Sequence, residues 1–379
     1  MTSEFKKPKM AVICRFAGII NRGGESFAIE LGKYLSKYYE VDMYTEGTAI
    51  DGFPGNIVTI DYKPGGFLQW LSKAYDKNEG LRKFLRCSRY TYVGQPGTLE
   101  GYGFGKACFK KMETMGDYEV MSVVTGPGPQ WCARKYRKKH GTPFFSSCEG
   151  GIGPGEWWVL KSNPDCYVAL TTPQFEWAKA IHKNVDFIPN GTYVSDYEME
   201  VADEDKVVIN KGHKLIISVG HLDTDFKRHQ LAIEAVSRLE EVDLLIVGDG
   251  PAKAYFEELG EKLMPGRLRV EKIPHSEIVR YYKSADVFTL PSLDEPFGIV
   301  YIEALASGLP CVATDDAARR EIIGEAGVVC DVEDADAYAE AFRKALVTDW
   351  GNKPLEQAKK FDYSVVGEKY YQMIGKIRK

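Results

Sequence analysis

Residues 291–310 read Pro291-Ser292-Leu293-Asp294-Glu295-Pro296-Phe297-Gly298-Ile299-Val300-Tyr301-Ile302-Glu303-Ala304-Leu305-Ala306-Ser307-Gly308-Leu309-Pro310. The run just before it, Val287–Leu290, predicts a strand. The apolar stretch from Phe297 predicts a helix that stops at Gly308, ahead of Pro310. Glu295 then stands just ahead of a helix N-terminus, at the carboxyl end of a parallel strand. Open α/β sheets take ligands at that edge, and free backbone N–H groups there favour phosphate. Glu303 follows within the helix, about 80° round its axis from Glu295. One carboxylate in the loop and one on the helix could grip two hydroxyl-bearing parts of a single ligand. Glu303 lies among Ile302, Ala304 and Leu305, and a carboxylate in an apolar helix needs a partner.

Outward from this segment, short β-branched runs alternate with helical stretches, the pattern of a parallel α/β sheet. Strands are expected at Lys9–Arg15, Val41–Tyr44, Ile57–Ile60, Val120–Val124, Pro143–Ser146 and Cys166–Leu170, with a helix at Glu25–Lys37. After residue 188 the pattern restarts, with strands at Leu215–Gly220, Leu244–Gly248, Leu268–Ile273, Val287–Leu290 and Cys311–Thr314. Helices are expected between them, and 334–348 and 364–378 finish the chain as helices. The turn Pro189-Asn190-Gly191 makes a sensible hinge. The expected fold is α/β, two doubly wound Rossmann-like domains facing a cleft, over 1–188 and 189–360. The Gly-, Tyr- and Phe-rich stretch 61–108 reads as an irregular insertion.

At 379 residues, 44% apolar and 27% charged, the chain is a globular protein large enough to need no staple. Its eight cysteines (14, 87, 108, 132, 148, 166, 311 and 330) include no C-x-x-C pair, which argues against a zinc ribbon or a redox motif. They read as small core hydrophobes in a reducing compartment. No His, Cys and carboxylate group has metal-ligand spacing, so no metal is expected. Residues 1–10 lack the apolar core of a signal peptide, and no stretch approaches a membrane span, so the expected location is cytoplasmic. Residues 1–188 carry 25 Lys+Arg against 19 Asp+Glu, and residues 189–379 carry 24 against 35. A basic half joined to an acidic half suits two domains with different partners, although unrelated domains differ in charge by as much. No nucleic-acid-binding motif accompanies the basic residues, so nucleic acid is not an expected partner.

The 291–310 segment resembles the Glu-x7-Glu motif of retaining nucleotide-sugar glycosyltransferases of the GT-B fold, the group-one or family-four type. Gly308-Leu309-Pro310-Cys311-Val312-Ala313-Thr314, Ile188-Pro189-Asn190-Gly191, Ile217-Ser218-Val219-Gly220, Leu245-Ile246-Val247-Gly248-Asp249-Gly250-Pro251 and Glu321-Ile322-Ile323 extend the resemblance in order and spacing. It implies a second domain that binds a nucleotide-diphosphate sugar, UDP- or GDP-linked, with no further cofactor. Glu303 would hold the ribose hydroxyls and Glu295 the transferred sugar. The backbone at Phe297, Gly298 and Ile299 would meet the diphosphate, and base recognition would lie near Ile273-Pro274-His275. Lys227 stands at the family's diphosphate lysine. His221 stands where an Arg is usual; it could act when protonated, or Arg228 could reach in, although Arg228 is expected to face outward along its helix.

In the first half, Gly18-Ile19-Ile20-Asn21-Arg22-Gly23-Gly24-Glu25 resembles the family's glycine loop, with Gly23 and Gly24 letting backbone approach the donor. The family's first-domain His is missing; Glu149, in Ser147-Cys148-Glu149-Gly150, could take over positioning of acceptor or sugar. Asp223-Thr224-Asp225 has the form of a metal site of a different glycosyltransferase fold and reads better as a solvated acidic loop. The basic run Arg134–His140 beside Trp131, and the cluster Arg82, Lys83, Arg86 and Arg89, could touch an anionic membrane or be solvated helix faces. Phe361-Asp362-Tyr363 resembles the family's aromatic turn, after which the helix over 361–379 crosses back to the first domain. The implied activity is retaining, metal-independent transfer of a sugar to a hydroxyl of a glycan, glycolipid or small molecule. The alternatives are a GT-B epimerase or phosphorylase, or a non-catalytic sugar-binding protein.

Overall fold

The computed structural model describes residues 7–378 except 21, 79, 82, 83, 85–95 and 125. The chain divides into two compact units, Met1–Asn190 with Val366–Lys379, and Gly191–Val365. In the first, seven parallel strands run in the order β3-β2-β1-β4-β5-β6-β7. These are β1 (Lys9–Ile13), β2 (Glu40–Thr45), β3 (Asn56–Thr59), β4 (Val120–Val123), β5 (Phe144–Ser147), β6 (Cys166–Ala169) and β7 (Val185–Phe187). β1, β4, β5 and β6 are buried or nearly so at every position, which is why apolar and polar residues do not alternate along them.

The second unit holds six parallel strands in the order β10-β9-β8-β11-β12-β13. They are β8 (Lys214–Val219), β9 (Val242–Val247), β10 (Leu268–Glu271), β11 (Val287–Leu290), β12 (Cys311–Thr314) and β13 (Gly327–Cys330). The strand order reverses at β8 and β11, and the loops after these two strands flank the switch point. Entry to and exit from this unit are zipped together. Thr192 N–H donates to Phe361 O at 3.0 Å, Tyr363 N–H donates to Thr192 O at 3.1 Å, and Val194 N–H donates to the Asp362 carboxylate at 2.9 Å.

Stretch 61–108 is not irregular throughout: it holds a helix at Gly66–Lys77 and the start of another at Pro96–Met115. Glycines weaken a helix by propensity, and so they read as loop. Here packing overrides propensity. A Cβ on Gly128, in helix Pro127–His140, would lie 1.9 Å from Gly101 O, and one on Gly105 would lie 2.2 Å from Gly128 O. The glycines let two helix backbones touch.

The C-terminal helix, Tyr363–Ile377, delivers Val366, Tyr370, Met373 and Ile374, which its spacing places on one face, to the first unit's core. Tyr370 packs on Phe27 and Phe145 with centroids 5.6 and 5.9 Å away, and Tyr371 stacks on Tyr38 at 4.0 Å. Seven cysteines (14, 108, 132, 148, 166, 311 and 330) are free thiols, six of them buried, and Cys87 lies outside the described residues. Among the described residues no helix is long and apolar enough to cross a membrane.

Candidate active site

The loop after β8 and the loop after β11 meet at the second unit's switch point, and they bring Lys227 to Glu295. The Lys227 ammonium donates to Glu295 Oε2, with the glutamate side chain 8% exposed. Lys227 is held from behind: Asp223 Oδ1 accepts the backbone N–H of Phe226 at 2.7 Å and of Lys227 at 2.9 Å. The first aspartate of the Asp-x-Asp sequence therefore caps its own loop. The second, Asp225, accepts from the Thr224 hydroxyl. Among the described residues no group of three His, Cys, Asp or Glu could hold a metal ion.

Glu295 lies in a loop that ends at Gly298, the residue before helix Ile299–Ala306. Gly298 takes φ +88°, where a side chain would be strained and its Cβ would lie 2.7 Å from the Tyr301 ring. Phe297 is buried, edge-on to Phe361 at 5.9 Å. Among the described residues no backbone partner takes the N–H of Phe297 or Gly298, so two donors at a helix N-terminus sit within the loop that carries Glu295. Ile299 opens the helix and is half-buried. The arrangement can bind an anion between a lysine and backbone donors.

Glu303, one turn further in, is 8% exposed and has the partner that burial demands. Tyr282 OH donates to its Oε2 at 2.9 Å, and Tyr197 faces it too. Burial first, then the Glu303 charge, holds the Tyr282 phenol far above its ordinary range, so it stays a donor. The other carboxylate oxygen, Oε1, lies 3.8 Å from His275 Nε2, beside exposed Pro274 in the segment after β10. Sequence reading missed Tyr282 and Tyr197, which belong to no motif; a buried glutamate asking for a partner was the one available hint.

His221 is exposed and follows Gly220 at the end of β8. His229, by contrast, is fully buried, bonded to Ser218 Oγ at 2.9 Å, and held neutral at about 4 by burial and by the nearby Lys227 charge. Arg228 does not face outward. It sits ahead of helix His229–Val236 with φ +54°, outside the helical wheel, and is 8% exposed. Its Nε donates to Pro291 O at 2.9 Å and its Nη1 to Glu333 at 2.7 Å.

In the first unit, Glu149 follows β5 and Asn190 follows β7, both at the carboxyl edge of the sheet. Asn190 Nδ2 donates to Glu149 Oε2 at 2.9 Å, while among the described residues the shielded Glu149 Oε1 and Asn190 Oδ1 have no hydrogen-bond partner of ordinary geometry. Burial, against the hydrogen bond from Asn190 and the nearby Ser147 hydroxyl, raises the Glu149 carboxyl to about 8. Neighbouring Glu156, bonded to Tyr167 OH and Gly150 N–H, is raised by burial to about 7. Gly24 is buried and Gly23 exposed at the start of helix Gly23–Leu35; Asn21 of that loop is outside the described residues.

The basic run is partly neutralised. Arg137 pairs with Asp165 at 2.9 Å, Lys139 and His140 both engage Glu113, and Lys135 lies over the rings of Phe109 and Trp131. The cluster Arg82, Lys83, Arg86 and Arg89 lies outside the described residues.

Two parallel Rossmann-like units of this build define the GT-B fold. The chain matches sucrose-phosphate synthase from Thermosynechococcus elongatus with TM-score 0.77 over 98% of this chain and 99% of that one, at 19% identity. Anabaena HepE, in a structure with UDP and glucose, matches with TM-score 0.73 over 97% and 100%, at 14% identity. Residues 201–363 match the family "Glycosyl transferases group 1", so the second unit is a glycosyltransferase group 1 domain. Phosphatidyl-myo-inositol mannosyltransferase of Mycolicibacterium smegmatis is 36% identical over 140 residues, 35% of this chain and 36% of that protein. D-inositol 3-phosphate glycosyltransferase of Corynebacterium diphtheriae is 32% identical over 181 residues, 43% and 42%. The chain thus spans less than half the length of these two curated relatives.

Proposed function

We propose that the chain is a retaining glycosyltransferase that moves a sugar from a nucleoside diphosphate, UDP or GDP, to a hydroxyl of a glycan, glycolipid or small molecule. The observation that carries this is the meeting of Lys227 with Glu295 at the switch point, beside the donors of Phe297 and Gly298. On donor binding Lys227 exchanges Glu295 for the diphosphate, and Glu295 turns to the sugar hydroxyls. Glu303 accepts from the ribose through Oε1 while Tyr282 keeps Oε2. His221 and Ile299 border the phosphates, and the segment at Pro274 borders the base.

In the transfer step the acceptor oxygen bonds to the anomeric carbon on the face the diphosphate leaves. The bond to the phosphate oxygen breaks, and that oxygen takes the acceptor proton. Lys227 and the backbone donors stabilise the charge that develops on it, the kind of stabilisation that dominates many enzymes. In the first unit, Gly23 and Gly24 are proposed to let backbone approach a ligand, and Glu149 with Asn190 to position a hydroxyl. Proximity of helix Pro127–His140 to an anionic membrane is a secondary proposal. It rests on Arg134 and Lys138, exposed residues with no ion pair among the described residues. HepE, crystallised with UDP and glucose, supports a nucleotide-sugar donor.

Thermal unfolding in the presence of UDP, GDP and ADP tests the donor reading. A ligand at 100 times its Kd adds about 2.7 kcal/mol, so one nucleotide should raise the midpoint and lose that effect in Lys227→Met. No shift with any of the three would count against it.

A further inference from the structure

The loop that carries Glu295 is fixed by bonds from both sides, from the segment after β8 and from β12 and the helix that follows it. On the β8 side, Arg228 Nε donates to Pro291 O at 2.9 Å, and Leu293 N–H donates to Phe226 O at 2.7 Å. On the β12 side, the Thr314 hydroxyl donates to Ser292 O at 3.0 Å, and Arg319 Nη1 donates to Glu295 O at 2.8 Å. Asp294, between these contacts, takes φ +52°, a conformation uncommon for a residue with a side chain, so the loop needs outside support to keep its path.

Arg319 is unusual among these anchors. It is 3% exposed, and its guanidinium is locked to Asp316 by three contacts: Nε to Oδ1 at 3.0 Å, Nε to Oδ2 at 2.9 Å and Nη2 to Oδ2 at 2.8 Å. The same Asp316 caps helix Ala317–Ile323 by accepting Arg319 N–H at 2.9 Å. Backbone and side chain of Arg319 are therefore fixed by one carboxylate, and the remaining arm of the fork ends on the Glu295 carbonyl. A planar guanidinium can hold a carboxylate and a carbonyl at once; an ammonium on a flexible stem cannot hold both in that geometry. The contact falls on the peptide carbonyl that leads into Pro296, Phe297 and Gly298, so it also sets the backbone whose donors face the proposed diphosphate.

We infer that Arg319 is a positioning residue: held by Asp316, it fixes the Glu295 peptide so that Glu295 and the backbone donors at 297–298 keep the spacing the transfer needs. The inference rests on the proposed transferase reading. Nothing in the 291–310 motif points to Arg319, which lies in the helix after β12.

The test compares wild type, Arg319→Gln and Arg319→Lys by amide exchange and by steady-state kinetics with the best nucleotide-sugar donor. Exchange in 291–298 should rise about tenfold or more while the strands of the second unit stay within about twofold. A displacement of about 1 Å can cost about a hundredfold, so kcat should fall tenfold to a hundredfold. Binding of the nucleoside diphosphate should weaken by less than kcat falls, because Lys227 and Glu303 are untouched while the donors at 297–298 shift with the loop. Arg319→Lys should recover midpoint but not kcat. Unchanged kcat in both variants would overturn the inference, as would faster exchange spread across the whole unit. Should wild type transfer no sugar at all, the transferase reading fails by itself, and the exchange comparison still decides whether Arg319 holds the loop.

Discussion

Lys227 and Glu295 lie 68 residues apart in sequence and form one ion pair, joining the loop after β8 to the loop after β11. A cation at the switch point is thus neutralised by the carboxylate proposed to bind the sugar. On the proposed function the two partners part when a diphosphate binds, and substitutions on either side then have separable consequences.

Glu303→Ala should weaken donor binding, while Glu295→Ala should chiefly lower kcat. Losing a hydrogen bond to a charged group costs about 1.5–3 kcal/mol, so each change should lie between tenfold and a hundred-and-fiftyfold. Kd for the nucleoside diphosphate and single-turnover rates separate the two effects. Identical wild-type kinetics in both variants would remove the site assignment.

Turnover should survive EDTA, because the Asp223 carboxylate is engaged by two backbone N–H groups that shape the Lys227 loop. Asp223→Ala should cost about 1 kcal/mol or more of stability and lower kcat through a misplaced Lys227. Activity lost in EDTA and restored by magnesium or manganese would show that the acidic loop binds a metal.

Glu149 and Glu156 give the first unit a pH dependence of definite sign. Both carboxyls stand above the ordinary 4.5, at about 8 and about 7, so the folded chain holds protons that the unfolded chain has released. Their stabilisation is complete below pH 4.5 and is lost as pH rises through 7 and then 8. Glu149→Gln should flatten the upper part of this decline in the thermal midpoint. A profile of unchanged slope would show that Glu149 is ionised at neutral pH.

Deleting residues 366–379 should destabilise the first unit although the removed segment is far from it in sequence. The deletion strips Val366, Tyr370, Met373 and Ile374 from its core, and a fully buried side chain of that size contributes about 1.5–3 kcal/mol. Faster amide exchange in helix Gly23–Leu35 and in β5 would register the loss. Unchanged exchange there would contradict it.

Most of this architecture could be read from periodicity, because fully buried parallel strands such as Val287–Leu290 and Cys311–Thr314 are short apolar runs with clear ends. β7, Val185–Phe187, and β13, Gly327–Cys330, escaped notice: both lie at the margin of their sheets and are short and only partly buried. Helix Pro96–Met115 was hidden by glycines whose role is contact with Gly128, a tertiary fact with no local signature. At the site, the family resemblance singled out Lys227 and Glu295, and the fold brings the two together. Tyr282 on Glu303, Arg228 on Pro291 and Arg319 on the Glu295 carbonyl were not, since each joins segments that only the folded sheet brings together.

The most direct measurement is nucleotide release from a panel of UDP-, GDP- and ADP-sugars, with and without a mixture of hydroxyl acceptors, together with the anomeric configuration of any product. The expected result is acceptor-dependent release of one nucleoside diphosphate, a new glycosidic bond of retained configuration, and a rate reduced at least tenfold in Glu295→Ala. Donor binding without release under any acceptor, or a product of inverted configuration, would contradict a retaining transferase.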